Sequence, residues 1–226
     1  MLRAMAVRQP ARSRGGGVPV PMLRRLIDES ARLFDRDGYN HVSMEAIAAA
    51  VGLAKPSLYH YVRSKDQILV LIHQEFMALT LTRAESLDRS RLAPRDQLLE
   101  IMGDILELMH SHRGHVRVFW EHHRELPRQV QKKIAQDRRR YLEIVRKILS
   151  RGVASGDFRP LNVSLAALAV FGMCNWAYQW YDVRGKLSSR DIALMFADFL
   201  LRGISGTSRT RSRQHGRKSS RQHLAS

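Results

Sequence analysis

Between Gly52 and Ser64 the chain gathers Lys55, Pro56, Ser57, Tyr59 and His60 around Leu58. If this segment is helical, Leu53 and Leu58 face a core and the other five side chains face outward. A cation, a hydroxyl, a phenol and an imidazole on one short surface suit phosphate oxygens and base edges. The apolar pair would hold that surface against the rest of the chain.

Other kinds of chemistry find less support. His110, His112, His115, His122 and His123 crowd one region, but His110 and His112 fall on different sides of a helix. His122 and His123 cannot face one ion from regular helix. The lone cysteine, Cys174, permits no intramolecular disulfide and no cysteine-based zinc site. The chain contains no glycine-rich phosphate loop, no nucleophile elbow and no HExxH pattern. No metal, no cofactor and no catalytic residue is expected, and the reading is not an enzyme.

The elements that must carry the polar cluster are helices. Apolar stretches are rich in Leu, Ala, Met and Arg, all good helix formers, and no alternating β-branched run stands out. After Pro19 and Pro21, the positions Leu23, Leu26, Ile27, Ala31 and Phe34 form one stripe of 3.6-residue period. Gly38 closes that helix. Ser43 caps a short helix that ends at Gly52, and a second short helix runs from Lys55 to about Tyr61. Two short helices joined by a glycine turn describe a helix-turn-helix. Ser64-Lys65-Asp66-Gln67 is a capping box that starts a long helix towards Leu87. Pro94 opens the next, to about His112, and a shorter segment follows from Gly114 to Arg124. Pro127 restarts a long helix that should break near Gly152–Gly156. The last two cover about Leu161–Val183 and Ser188–Gly203. The expectation is an all-α fold of about nine helices.

Charge is unevenly distributed. Lys and Arg number 38 against 21 acidic residues, a formal net charge of +17. Arg3, Arg8, Arg12, Arg14, Arg24 and Arg25 precede the first acid, and Arg209, Arg211, Arg213, Arg217, Lys218 and Arg221 crowd the other end without one. Both ends are also rich in Gly, Ser, Pro or Gln and lack apolar area to bury, so they read as disordered basic arms able to graze phosphates. The organisation expected is a basic arm over 1–19, a helix-turn-helix domain over 20–66, a larger helical domain over 67–204 and a basic tail over 205–226. Leu161–Tyr181 is about the length of a bilayer helix. Asn162, Ser164, Asn175 and Gln179 within it argue instead for a buried or interfacial helix. No secretory leader is visible, so the expected place is the cytoplasm, away from membrane.

Ala31-Arg-Leu-Phe-Asp-Arg-Asp-Gly-Tyr39, Ser43-Met-Glu-Ala-Ile-Ala48, Gly52-Leu-Ala-Lys-Pro-Ser-Leu-Tyr-His-Tyr61 and Ser64-Lys-Asp66 together resemble the DNA-binding domain of the TetR family. The resemblance implies that Ser43, Tyr59, His60 and Lys65 grip phosphates while Lys55, Pro56 and Ser57 approach bases. One departure is Ala54, where the family usually has a Ser or Thr cap. Losing such a cap costs on the order of 1 kcal/mol, so the recognition helix should fray at its start. Implied partners are a palindromic double-stranded operator, a second copy of the chain and a small-molecule effector that releases a repressor. A basic protein binding DNA without an effector or without sequence preference is the alternative, and activation rather than repression fits the residues equally.

The C-terminal half carries weaker signals. Ala166, Ala169 and Gly172 would let two helices approach closely, and Ile192, Met195, Phe196, Phe199 and Gly203 make one stripe of the last helix. By the resemblance these two helices form a dimer interface. Phe171, Asn175, Tyr178 and Asp182 are spaced to share a face that could line a ligand pocket. The stretch Phe119–Pro127, with Arg138–Tyr141 and Gly156–Leu161, is similar to actinobacterial regulators of fatty-acid and cholesterol breakdown that respond to acyl-CoA thioesters. An apolar lining with Arg113, Arg117, Arg124 and Arg138–Arg140 would suit an acyl chain and phosphates.

Overall fold

Serine caps and glycine turns lay out the N-terminal helices in a computed structural model that describes residues 20–204. The basic stretches 1–19 and 205–226 lie outside the described residues. Helix α1 (Val20–Asp37) is followed by α2 (Met44–Ala50), whose cap Ser43 accepts from the Ala46 amide at 3.1 Å. Gly52 turns the chain at φ +72°, a conformation that β-carbons disfavour. That turn lets the Leu53 amide reach back to the Ala48 carbonyl at 2.9 Å. Helix α3 is short, Lys55–Leu58, and its N-terminus has no side-chain cap at Ala54. Turn hydrogen bonds carry the chain on to Val62 in place of the longer helix that the periodicity suggested. Ser64 then caps α4 (Lys65–Asp88) through the Gln67 amide at 3.2 Å, and the Gln67 side chain accepts from the Arg63 amide at 2.7 Å.

Five further α-helices complete the described chain: α5 (Pro94–Ser111), α6 (Arg113–Glu121), α7 (Arg128–Ser155), α8 (Val163–Asn175) and α9 (Ser189–Ile204), with a 3₁₀ turn at Trp176–Gln179. Among the described residues the fold is all-helical. Helix α5 is central. Its Leu98, Ile101 and Met102 are fully buried, and it packs against α4, α7, α8 and most extensively α9. The division expected at residue 66 falls in the first turn of α4, so this one helix belongs to both the DNA-binding unit and the larger bundle. Helix α1 meets the bundle chiefly through α6.

Two further elements depart from the sequence expectation. Helix α7 runs straight through Gly152 and stops only at Gly156. Gly152 is there for close approach: a β-carbon would lie 2.2 Å from the Phe158 ring. The eighth helix ends at Asn175 rather than near Val183. Tightening to three residues per turn folds Tyr181 back into the core, where its hydroxyl meets His110 Nδ1 at 3.2 Å. The chain beyond therefore loses the 3.6-residue register. No helix among the described residues is long and apolar enough to cross a membrane.

Candidate DNA-binding surface and effector cavity

On the helix-turn-helix, Lys55, Pro56, Tyr59 and His60 are exposed and Ser57 is half-buried, all held by Leu58, which is fully buried. Tyr59 is 46% exposed. Ser43 is exposed with its oxygen engaged in the α2 cap, leaving its O–H to donate. Lys55 is engaged by Glu45 of α2.

Lys65 departs from the phosphate role. Its ammonium turns inward and donates to the carbonyls of Tyr39 (2.7 Å), Asn40 (3.3 Å) and Val42 (3.1 Å), and it lies 4.6 Å from the centre of the Tyr39 ring. All three N–H donors are used. Lys65 thus ties the α1–α2 loop to the start of α4 and positions the recognition unit from behind. Tyr39 contributes to the same knot by donating to Asp66. Burial, and then that carboxylate, push the Tyr39 phenol well above its ordinary range.

A cavity of about 360 Å³ opens between five helices. Phe76 and Met77 of α4, Ile105 and Met109 of α5, Phe119 of α6, Leu142 of α7 and Phe171 of α8 supply its apolar wall. Aromatic contacts stiffen that wall: Phe76 and Phe119 centroids are 4.7 Å apart, and Tyr141 meets Phe171 edge-on at 4.9 Å. The polar groups are few. Trp120 Nε1 is buried and has no hydrogen-bond partner among the described residues. The Tyr141 phenol is raised far above its ordinary range by burial, so it is a neutral donor. Arg138 stacks over the Trp120 ring at 4.9 Å, and desolvation lowers its guanidinium from the usual value although the side chain reaches solvent. Neither Arg138 nor Arg139, both on the cavity, pairs with a carboxylate among the described residues. An apolar pocket with unsatisfied donors and cations at its edge suits a ligand with an apolar body and an anionic or acceptor-rich head.

Of the five pocket residues expected, Phe171 and Asn175 line this cavity, and Tyr178 lines a small adjoining pocket with Arg113 and Arg117 while stacking on Trp120. Asp182 and Arg124 line neither. Asp182 is exposed, accepting from the Arg184 amide at 2.9 Å, which holds its carboxyl below the usual range. The end of α8 at Asn175 removed it from the stripe. Arg124 is exposed in the loop before α7. Sequence reasoning passed over Thr80 and singled out the stretches that hold Trp120 and Tyr141 without naming either as a lining residue; the spacing Ala135, Arg138, Arg139, Leu142 on α7 was the available signal.

The histidines have separate partners. His110 meets Tyr181, His122 meets Glu125, and His123 meets the Trp120 carbonyl. Burial, and then His112 and Arg24, push His115 down to about 4, so it is neutral 3.5 Å from Asp28. Among the described residues no group of three or more His, Cys, Asp or Glu side chains converges as metal ligands would. Burial pushes the Cys174 thiol up to about 12, leaving it unreactive.

Helix α6 links cavity and DNA-binding unit. Phe119 and Trp120 at its C-terminal end face the cavity. At the other end Gly114 lies so close to α1 that a β-carbon would sit 2.7 Å from the Ala31 carbonyl oxygen. Arg113 and Arg117 both pair with Asp35 of α1, at 3.7 and 2.9 Å. Beyond α6, the His122 ring packs 5.4 Å from Tyr39.

The outward face of α8 and its continuation carries Leu165, Leu168, Ala169, Gly172 and Trp176, and that of α9 carries Leu194, Met195 and Phe199. Leu165 and Phe199 are 65% and 67% exposed, so this side of the bundle is apolar and open. Ala166 and Phe196 are half-buried at its margin. Ile192 is buried at 4% and packs inward, because the α9 stripe through Ile192, Ala193, Ala197 and Leu201 is the one that meets α5. It therefore leaves the interface set.

Residues 26–72 match the family described as bacterial regulatory proteins, tetR family, and residues 91–204 match the tetracyclin repressor-like C-terminal domain. The chain belongs to the TetR family: it is a DNA-binding transcription regulator with an N-terminal helix-turn-helix and a C-terminal ligand-binding domain. The solved TetR family regulator PfmR from Thermus thermophilus is similar at 30% identity and a TM-score of 0.74, over 79% of this chain and 97% of that one. AibR, solved in complex with isovaleryl coenzyme A and operator DNA, is similar at 26% identity and a TM-score of 0.71, over 80% of this chain and 98% of that one. Among curated relatives, the HTH-type transcriptional repressor KstR2 of Mycolicibacterium smegmatis is 24% identical over 193 residues, 82% of this chain and 92% of the relative.

Proposed function

We propose that this regulator is a homodimeric repressor released from a palindromic operator by an acyl-CoA thioester. The observation that carries the effector class is the cavity itself. Its apolar wall suits an acyl chain, Trp120 Nε1 and the Tyr141 hydroxyl are donors suited to a thioester carbonyl, and Arg138 and Arg139 suit phosphates. The isovaleryl coenzyme A complex of AibR supports the same class.

The open apolar face of α8 and α9 supports a second copy as partner. Ala169 is small, and a β-carbon on Gly172 would meet nothing within 4 Å. Two such faces can pack closely in an isologous contact. The dimer would set two recognition helices about 34–36 Å apart, one turn of the duplex. Lys55, Pro56 and Ser57 would approach bases while Ser43, Tyr59 and His60 hold phosphates. The arginines of the two chain ends would add sequence-independent attraction.

Release follows from differential binding. An effector that fits the cavity better when Phe119 and Trp120 are displaced draws α6 with it. Gly114 and the Asp35 ion pairs then pass the shift to α1. Leu168 belongs to both cavity wall and open face, so occupancy also bears on how the two copies pack.

The test is a titration of the operator complex with acyl-CoA thioesters of increasing chain length, with free coenzyme A and free fatty acids as controls. Thioesters in one length range should raise the Tm and lower operator affinity together. If no thioester changes either quantity, the effector assignment fails while family membership stands.

A further inference from the structure

Among the described residues, the recognition surface carries one carboxylate where a phosphate-binding face should carry none. Glu45 stands in the first turn of α2 and receives the Lys55 ammonium from the first turn of α3. Both are accessible, with the Glu45 side chain 58% and the Lys55 side chain 47% exposed. The Lys55 ammonium, the Glu45 backbone amide and the Ser43 hydroxyl hold the Glu45 carboxyl below its usual range. Lys55 is raised correspondingly, with a further push from Tyr59. The carboxylate thus sits beside Ser43 and Lys55, two side chains assigned to DNA.

This placement has an electrostatic consequence. Lys65 is turned inward and Lys55 is already neutralised, so neither lysine of the recognition unit brings free positive charge to a duplex, which leaves exposed cations such as Arg63 to do so. A carboxylate beside phosphates is repelled by every sequence alike. A base that offers a hydrogen-bond donor in the major groove offsets the repulsion, and the donor suited to a carboxylate is the N4 amino group of cytosine.

We infer that Glu45 is a specificity-determining residue of the recognition surface, one that disfavours non-cognate DNA and accepts a hydrogen bond from a cytosine in each operator half-site. Lys55 shields it in the free protein and moves to the DNA when that cytosine is present. Specificity is a difference of affinities, and Glu45 enlarges it from the unfavourable side. The inference rests on the operator reading above but not on the effector.

The experiment selects binding sites from a random duplex pool at about 0.15 M salt with the full-length wild type, Glu45→Gln and Lys55→Gln. Affinity for a random duplex is then measured for each. Glu45→Gln should bind random DNA about fivefold tighter, the scale of one close charge contact in water, and should shift the cytosine preference at one symmetric position towards adenine, because the amide adds a donor beside its acceptor. Lys55→Gln should bind random DNA more weakly and keep that preference. Three results overturn the inference. Glu45→Gln could select the same site with unchanged random-DNA affinity. Both variants could lose the same preference, which would make the pair a brace for α3. The wild type could select no sequence, which would sink the operator reading as well.

Discussion

Around the helix-turn-helix three charged groups are already engaged: Lys65 by three carbonyls, Asp66 by Tyr39, Lys55 by Glu45. Around the cavity they are not. Among the described residues Trp120 Nε1 has no hydrogen-bond partner, Arg138 has only an aromatic face, and Arg139 has no carboxylate. A surface that must keep its shape while meeting many DNA sequences is braced internally. A pocket proposed to take one ligand keeps its donors free. The difference separates residues that position a site from those that bind at it.

The sharpest way to break that comparison is Lys65→Met. If Lys65 is a brace, three charge-assisted hydrogen bonds disappear, and unfolding free energy should fall by about 2–4 kcal/mol. Thermal melting without DNA reads this directly; an unchanged Tm would return Lys65 to the phosphate contacts. Gly114→Ala should cost about 1–3 kcal/mol, because the clash is with the Ala31 backbone and no rotamer relieves it. Operator affinity should fall with it, since α1 must shift. Melting and operator titration run side by side would expose a loss of stability alone. Trp120→Phe removes an unsatisfied buried donor. The free protein should melt at the same or a higher temperature while acyl-CoA affinity drops about tenfold, the worth of one hydrogen bond to a buried group.

The smallest effect near neutral pH comes from His115. Its folded pKa lies at about 4, below the unfolded value near 6.5. Its contribution is complete above about pH 6.5 and is lost as pH falls towards 4, because the unfolded chain binds the proton first. Tm measured from about pH 7 to 4 should decline in that window, and His115→Gln should flatten the decline. A slope unchanged by the substitution would place the titrating groups elsewhere.

Much of the DNA-binding unit was legible because its determinants are local. Ser43 and Ser64 cap helices from within a turn, Gly52 turns the chain at its own φ, and Leu58 sets which side of α3 faces out. The C-terminal half was less legible, since periodicity cannot say which of two apolar stripes faces a core. On α9 the Ile192 stripe went inward and the Phe199 stripe outward, and only packing against α5 decided it. On α8, register was extended past Asn175, where Tyr181 turns back to His110, which carried Asp182 away from the pocket.

The amino-acid sequence by itself determined the helical class, the order of the helices and the polar cluster from Lys55 to His60. Caps, turns and 3.6-residue stripes act over a few neighbours and can be read in one dimension. Tertiary structure alone decided that Lys65 faces inward, that Trp120 and Arg138 meet at the cavity edge, and that α6 spans from cavity to α1. Those relations join residues far apart in the chain, and their energies depend on burial and distance, which exist only once the helices have packed.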